Sequence, residues 1–368
     1  MNQPSATHAS SEPMAPIAVL TDREGLGDVM LKAPFLRALR RAYPGHDVWW
    51  IADHQSDMDG DLRAIVGEGV VRVITHAGLG GLPHTALPRL RALPRFAKVF
   101  DSRTTGSVVA LARFGLRHDG FYCCLGRYVL CDGVPPTRAR PRHIAERMLS
   151  LIHCATGRPA DASGRLEASA AARDAARRLL PDGRTYVGLA PGSRQEAKNW
   201  PLNKYLEAAR ALIGQGITPV FFLGPFEQHA KPAARALDGA LVLEAEPHVS
   251  HGEALDRLIA QGQRLSLLIA NDNGVGHLLG AAGAPVVSLF GPTDPARWAP
   301  VAPANAILRA RNYSGRSDMA SIPVDKVVEA TLAMLGRPED GRPASFETPA
   351  TRAPQDDEDI GLHHSPSW

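Results

Sequence analysis

One local pattern recurs along this chain: a short apolar run, then a polar loop bearing glycine, then residues at helical spacing. Its fullest example begins at Leu265-Ser266-Leu267-Leu268-Ile269-Ala270 and continues through Asn271-Asp272-Asn273-Gly274-Val275-Gly276-His277. A second apolar run, Pro285 to Phe290, follows at once and ends in Gly291-Pro292-Thr293-Asp294. Apolar runs of this length without alternation read as strands buried on both faces, the mark of a parallel sheet covered by helices. In such a sheet both polar loops fall at the carboxyl ends of strands, where ligands bind. A loop that opens a helix also presents free amides and a positive dipole end, which suits a phosphate. A nucleotide or nucleotide-sugar pocket is expected here.

The same unit opens the chain. Ile17-Ala18-Val19-Leu20 runs into Asp22-Arg23-Glu24-Gly25-Leu26-Gly27-Asp28, and Val29, Leu31, Phe35, Leu36 and Leu39 continue at largely helical spacing to Tyr43-Pro44-Gly45. The strand Asp47 to Ala52 completes a βαβ unit. Its turn is not Gly-x-Gly-x-x-Gly, so no dinucleotide fingerprint is present. Taken by itself, Asp28 is a first-turn acid of that helix. Further apolar runs, Val70 to Ile74 and Ala97 to Asp101, are separated by a Gly/Leu/Pro-rich stretch read as loop. Helices are expected over 107–114 and 143–154, the latter after the basic, Pro-rich stretch Pro135 to Arg142, read as an exposed loop or an anion-gripping rim. The segment Gly157 to Gly164 has linker composition.

The second half repeats the scheme. A helix (168–180) precedes the strand Tyr186 to Ala190, which empties into Pro191-Gly192-Ser193-Arg194-Gln195-Glu196-Ala197-Lys198-Asn199-Trp200-Pro201. Helix and strand follow over 202–215 and 219–224, then Pro225-Phe226-Glu227, a strand at 240–243, a helix at 253–260 and a last helix, Val324 to Leu335. The expected fold class is therefore α/β, with two Rossmann-like domains facing across a cleft, over residues 16–165 and 166–336. Residues 1–15 and the acidic Pro/Ser-rich segment 337–368 read as disordered.

Charge is unevenly placed within a net +3: residues 16–165 carry +7, 166–336 carry +1, and 337–368 carry −4. A basic first half favours an anionic partner there. No window approaches a membrane-spanning length, and the N-terminus lacks a secretory pattern. The four cysteines have neither metal-ligand spacing nor disulfide density, which points to reduced thiols and a cytoplasmic protein. No metal site, cofactor or nucleic-acid partner is expected.

Several strand-end residues suit a phosphorylated sugar ligand. Lys198, one of few lysines in an arginine-rich chain, can hold a diphosphate as a point charge, with Ser193 and the amides around Gly192 adding hydrogen bonds. Glu227 can accept from a ribose hydroxyl pair or a base amine. Asp272 can hold a sugar hydroxyl, and His277 can reach a phosphate from the helix start.

Together these elements resemble glycosyltransferase family nine, the ADP-heptose:lipopolysaccharide heptosyltransferase family. The resemblance rests on Asp272-x-Gly274-x-x-His277, Ala281-Ala282-Gly283-x-Pro285-Val286-Val287 and Leu289-Phe290-Gly291-Pro292-Thr293-Asp294-Pro295. It extends to Pro191-Gly192-Ser193 with Lys198-x-Trp200-Pro201, to Leu223-Gly224-x-x-Glu227, and to Leu26-Gly27-Asp28-Val29. Asn273, where that family usually has Ser or Thr, and Val275-Gly276 depart from its pattern. The resemblance implies a GT-B fold, with acceptor on the first domain and nucleotide-sugar on the second. It implies inverting, metal-independent transfer of heptose or a related sugar from ADP-heptose to an anionic lipopolysaccharide-core glycolipid, with peripheral contact at the inner membrane. Asp28 takes the role of general base, and Lys198, Ser193 and the amides near Gly274 and His277 stabilise the departing diphosphate. Glu227 holds the nucleoside; Asp272 and Asn273 face the donor sugar. The alternatives are a same-fold enzyme with another donor or acceptor, and a non-catalytic sugar-nucleotide-binding relative.

Overall fold

The computed structural model describes residues 14–336 apart from Glu68, Arg138 and residues 245–248. The N-terminal residues 1–13 and the acidic segment 337–368, both read above as disordered, lie outside the described residues.

The chain begins β1 (Ile17–Thr21), α1 (Leu26–Ala42), β2 (Val48–Ala52), α2 (Leu62–Val66) and β3 (Val70–Ile74). It continues α3 (Pro83–Ala92), β4 (Lys98–Asp101), α4 (Gly106–Gly115), β5 (Phe121–Cys123) and α5 (Ile144–Thr156). The second half runs α6 (Ala170–Leu179), β6 (Tyr186–Ala190), α7 (Leu202–Ile213), β7 (Thr218–Leu223), α8 (Lys231–Arg235) and β8 (Leu241–Glu244). Then come α9 (His251–Gly262), β9 (Leu267–Asn271), α10 (Gly274–Ala281), β10 (Val286–Phe290) and α11 (Pro295–Trp298). The last elements are β11 (Asn305–Arg309), α12 (Arg311–Ser314) and α13 (Val324–Leu335).

All strands pair in parallel, in two sheets ordered β3-β2-β1-β4-β5 and β11-β10-β9-β6-β7-β8. Both are doubly wound, and the order reverses beside β1 in the first and beside β6 in the second. That reversal opens a crevice at the strand ends, because the crossovers on either side of it cover opposite faces. β1 sits in register between β2 and β4, with Val19 opposite both Trp50 and Phe100, and all five of its residues are buried. Helices on both faces remove every side chain of a central strand from water, which is why these strands read as unbroken apolar runs.

Two expectations need correction. The stretch between β3 and β4, read as loop, contains α3. Its prolines suggested a breaker, but Pro83 occupies the first helical turn, where a missing N–H removes no intrahelical bond. Ala86 and Leu90, four residues apart, bury the face that holds the helix down. Residues 115–134, to which no element was assigned, contain the short buried strand β5, paired to β4.

One apolar cluster crosses between the two halves, joining the first sheet to helices of the second half. Val29 and Leu36 of α1, Leu151 of α5, Ile259 of α9 and Leu278 of α10 belong to a single buried cluster, and α1 lies directly against α10. The approach is close enough that a Cβ on Gly27 would stand 2.9 Å from the His277 ring. A bare backbone at that point therefore lets the helix after β1 reach the helix after β9. Two polar ties add to this junction: Arg142 donates to Asp294 at 2.8 Å, and the His143 ring meets the carbonyl of Ala299 at 2.9 Å. The Arg142 pair is exposed and contributes at most about 1 kcal/mol.

Candidate active site

Two cavities meet where the carboxyl ends of the two sheets face each other. The larger, about 590 Å³, is lined chiefly by the loops after β6, β7 and β9 and by the start of α1. It brings together Asp28, Gly192, Ser193, Lys198, Glu227, Asp272, Asn273, Gly274 and His277, all of the site residues expected from the sequence.

Asp272 is its electrostatic centre. The carboxylate is buried at 8% exposure; Oδ2 accepts from Lys198 Nζ and from Thr293 Oγ1, each at 2.8 Å, and Oδ1 faces His277 Nε2 at 3.4 Å. Burial pushes this carboxyl up, but the hydrogen bonds from His277 and Lys198, with their charges, outweigh it and bring it down to about 2. His277 Nδ1 is buried without a protein partner among the described residues.

The loops around this pair are set by side chains engaged within the protein. Asn273 caps α10, its Oδ1 accepting from Gly276 N at 2.7 Å, while its Nδ2 donates to the carbonyls of Ala190 and Gly192 at 3.0 and 2.6 Å. Its side chain thus ties the β9 loop to the β6 loop. Asn271, at the end of β9, donates to Pro191 O at 2.6 Å and accepts from Tyr205 Oη and Trp200 N. These two asparagines place Gly192 and Lys198 relative to Asp272. Ser193 Oγ accepts from Gln195 N at 3.2 Å, shaping the same loop.

Glu227 stands at the cavity's other end, where its Oε2 accepts from Gly224 N at 2.9 Å. Its carboxylate lies so close over Gly192 that a Cβ there would be 1.9 Å from Oε1. Gly192→Ala is therefore expected to displace Glu227 and weaken nucleotide binding about tenfold, with the fold retained. Calorimetric titration with nucleoside diphosphates checks this, and an unchanged dissociation constant would remove Glu227 from the binding site.

Asp28 is a first-turn acid that also reaches the cavity. Its Oδ2 accepts from Gly25 N at 3.0 Å, closing the first turn of α1, yet the residue also lines the cavity. The loop that carries it is anchored by buried Glu24. Glu24 Oε2 accepts from Thr21 Oγ1, Trp50 Nε1 and Ser56 Oγ at 2.8–2.9 Å, and Oε1 pairs with Lys32.

The second cavity, about 480 Å³, lies on the first-domain side and is lined by His54, Ser102, Arg147 and Arg297 among others. Arg103 on its wall is paired with both Asp101 and Asp53, so that charge is balanced. Arg147 is different. It is 8% exposed, and among the described residues its guanidinium donates only to the backbone carbonyls of Pro141 and Arg142. Burial, then Arg140 and Arg297, push its pKa down, as befits a cation among cations. Arg297 lies over the ring of its neighbour Trp298, 4.8 Å from the centroid. In the expected rim, Arg140 donates to Cys124 O and Arg142 turns to Asp294; the more distant Arg113 is locked to Asp132.

Asp28 and Trp298 line both cavities and form the waist between them. A model of glycosyltransferase family 9 (heptosyltransferase) matches residues 127–322, more than half of the sequence. The chain belongs to glycosyltransferase family 9. Asp28 lies outside the matched stretch, so its place in the site rests on geometry. Among curated relatives, lipopolysaccharide heptosyltransferase 2 of Escherichia coli K12 is 32% identical over 120 residues, covering 32% of this chain and 34% of that one. Lipopolysaccharide heptosyltransferase 3 of the same organism is 29% identical over 167 residues, covering 42% and 47%. These alignments span between a third and a half of the relatives' length.

Solved structures cover far more. A family 9 glycosyltransferase from Veillonella parvula superposes with a TM-score of 0.62 at 21% identity, over 88% of this chain and 98% of that one. The E. coli ADP-heptose lipopolysaccharide heptosyltransferase II gives 0.59 at 23% identity, over 87% and 98%. An E. coli heptosyltransferase solved with ADP gives 0.60 at 18% identity, over 86% and 99%. The fold of this family 9 protein is accordingly GT-B, two parallel-sheet domains facing across a cleft.

The sequence reading missed Arg147, Arg297 and Trp298. The family-like Gly291-Pro292-Thr293-Asp294-Pro295 run stops three residues short of Trp298, and Arg147 sits inside the helix expected over 143–154, where no residue was singled out. Their meeting depends on the packing of α5 against α1 and of α1 against α10, which no local pattern announces.

Proposed function

We propose that this protein is an inverting glycosyltransferase. It moves heptose or a related sugar from a nucleoside-diphosphate donor, ADP-heptose in the leading reading, to a hydroxyl of an anionic, lipopolysaccharide-core type glycan. The single observation that carries this is the position of Asp28 on the waist shared by two cavities, with a cation-bearing cradle on each side. The donor belongs in the larger cavity. Lys198 and the first-turn amides of α10 face its diphosphate, and Glu227 stands where a ribose or base would lie. The acceptor belongs in the smaller cavity, where Arg147 and Arg297 offer charge that no carboxylate balances among the described residues.

In the reaction, the Asp28 carboxylate takes the proton of the acceptor hydroxyl as its oxygen bonds to the anomeric carbon from the face opposite the diphosphate. The bond from that carbon to the diphosphate oxygen breaks, and the electron pair leaves with the nucleoside diphosphate. Lys198 and the α10 amides meet the charge that develops on it. This is electrostatic work by groups already in place, and no metal enters the proposal. An E. coli heptosyltransferase of the same fold was solved with ADP, and adenine is the base we carry over to this donor. Among the described residues no helix is long and apolar enough to cross a membrane. We place the protein in the cytoplasm, with its basic first domain meeting a membrane-held acceptor at the inner membrane.

A thermal-shift panel of ADP-, UDP- and GDP-sugars tests the donor assignment. The ADP-sugar at a hundredfold excess over its dissociation constant should stabilise the protein by about 2.7 kcal/mol. A response confined to UDP- or GDP-sugars overturns the base, and no response to any of them overturns the donor site.

A further inference from the structure

A third cavity, about 450 Å³, shares no lining residue with the two in the cleft. Helices α1 and α5 separate them. Asp28 and Lys32 of α1 and Arg147 of α5 face the cleft, whereas Pro34 and Arg37 of α1 and Leu149 of α5 line this cavity. Its opposite wall is second-domain chain, the end of α10 with Pro300 to Pro303, and its edge is the crossing segment from Ala162 to Arg165. The cavity is therefore bounded by both domains and by the connection between them.

Arg37 is its unbalanced charge. Nε and Nη2 share one acceptor, Ala162 O, at 3.4 Å each, and Nη1 is buried with no partner among the described residues. Neighbouring cations are engaged: Arg41 with Asp161, and Arg165 with Glu167. Burial, then Arg41, push the pKa of Arg37 down, as follows for a cation without an acid beside it. A guanidinium N–H kept from water without an acceptor weakens the fold, and a turn of the Arg37 side chain toward a ligand's acceptor in the cavity would relieve it.

We propose that this cavity binds a small organic monoanion, a carboxylate on an apolar body. The edge of a guanidinium matches a carboxylate through two parallel hydrogen bonds. Pro34, Leu149, Pro300 and Val301 offer the apolar surface that the rest of such a molecule covers. Exposed Glu146 on the same lining disfavours a dianion such as phosphate. A ligand here touches both domains. The inference does not depend on what the cleft binds.

Calorimetric titration of the full chain with benzoate, and separately with inorganic phosphate, tests it. Wild type and Lys198→Ala are expected to bind benzoate alike, with Arg37→Gln weaker by about tenfold or more and phosphate not displacing benzoate. Arg37→Lys, which keeps the charge but loses the planar fork, should also be weaker, and it replaces Arg37→Gln if that variant fails to fold. Absence of benzoate binding to wild type overturns the site. So do unchanged binding in the Arg37 variants and an equal loss in Lys198→Ala, which would put benzoate in the cleft. Displacement by phosphate overturns the monoanion assignment.

Discussion

Asp28→Asn is expected to lower turnover by about two to four orders of magnitude while leaving nucleotide binding unchanged. The choice of asparagine matters. Asp28 Oδ2 closes the first turn of α1 by accepting from Gly25 N, so alanine removes a cap as well as a base. Losing the cap costs about 1 kcal/mol of stability, and it would blur any loss of activity with a loosened helix. Asparagine keeps an oxygen for Gly25 N and cannot take a proton at neutral pH. Steady-state turnover together with calorimetric titration of ADP separates the effects. Near-normal turnover in Asp28→Asn removes the base assignment, and a matching loss of ADP affinity makes Asp28 a donor-site residue instead.

Asp272→Ala should be the most destabilising single change in the cleft, by about 3 kcal/mol, because it strands Lys198 beside a buried pocket and empties the space between Lys198, Thr293 and His277. The same pair makes stability depend on acid. Asp272 titrates at about 2 in the folded protein, below the range of a free carboxylate near 3.9. A depressed carboxyl stabilises the fold fully above its unfolded pKa, and that contribution fades as pH falls from about 4 through about 2. Its size is roughly 2 kcal/mol. Urea denaturation of wild type and Asp272→Asn, which keeps the shape without the charge, should show a gap that narrows across that window. A gap independent of pH would mean that the carboxylate's charge is not what holds this loop.

How much of this was legible beforehand depends on range. The strand–loop–helix units were readable because a strand buried on both faces and an amphipathic helix each leave a local periodicity. Lys198, Glu227, Asp272 and His277 were readable because each falls at a strand end in a doubly wound sheet. Helix α3 was not, since its prolines masked a buried face made by Ala86 and Leu90. Asn273 shows a different limit. The sequence places it at the donor, and the structure does put it on the cavity wall, but its side chain is engaged in holding the β6 and β9 loops together. Composition cannot distinguish an amide that meets a ligand from one that positions its neighbours. Arg147 and Arg297 come from helices in different domains, so their proximity exists only once α1 has packed against both α5 and α10.

The contact between Lys198 and Asp272 also bears on which anions the cleft would take. The carboxylate of Asp272 pairs with Lys198, the cation that the diphosphate of the proposed donor would claim. A lone phosphate must compete with a carboxylate 2.8 Å from the ammonium, and one weakly placed anion gains little by doing so. A nucleotide-sugar brings a second phosphate for the α10 amides and a nucleoside for the Glu227 end, and can draw Lys198 across. Under the proposed donor assignment, inorganic phosphate is expected to bind this cleft weakly and a nucleotide-sugar tightly.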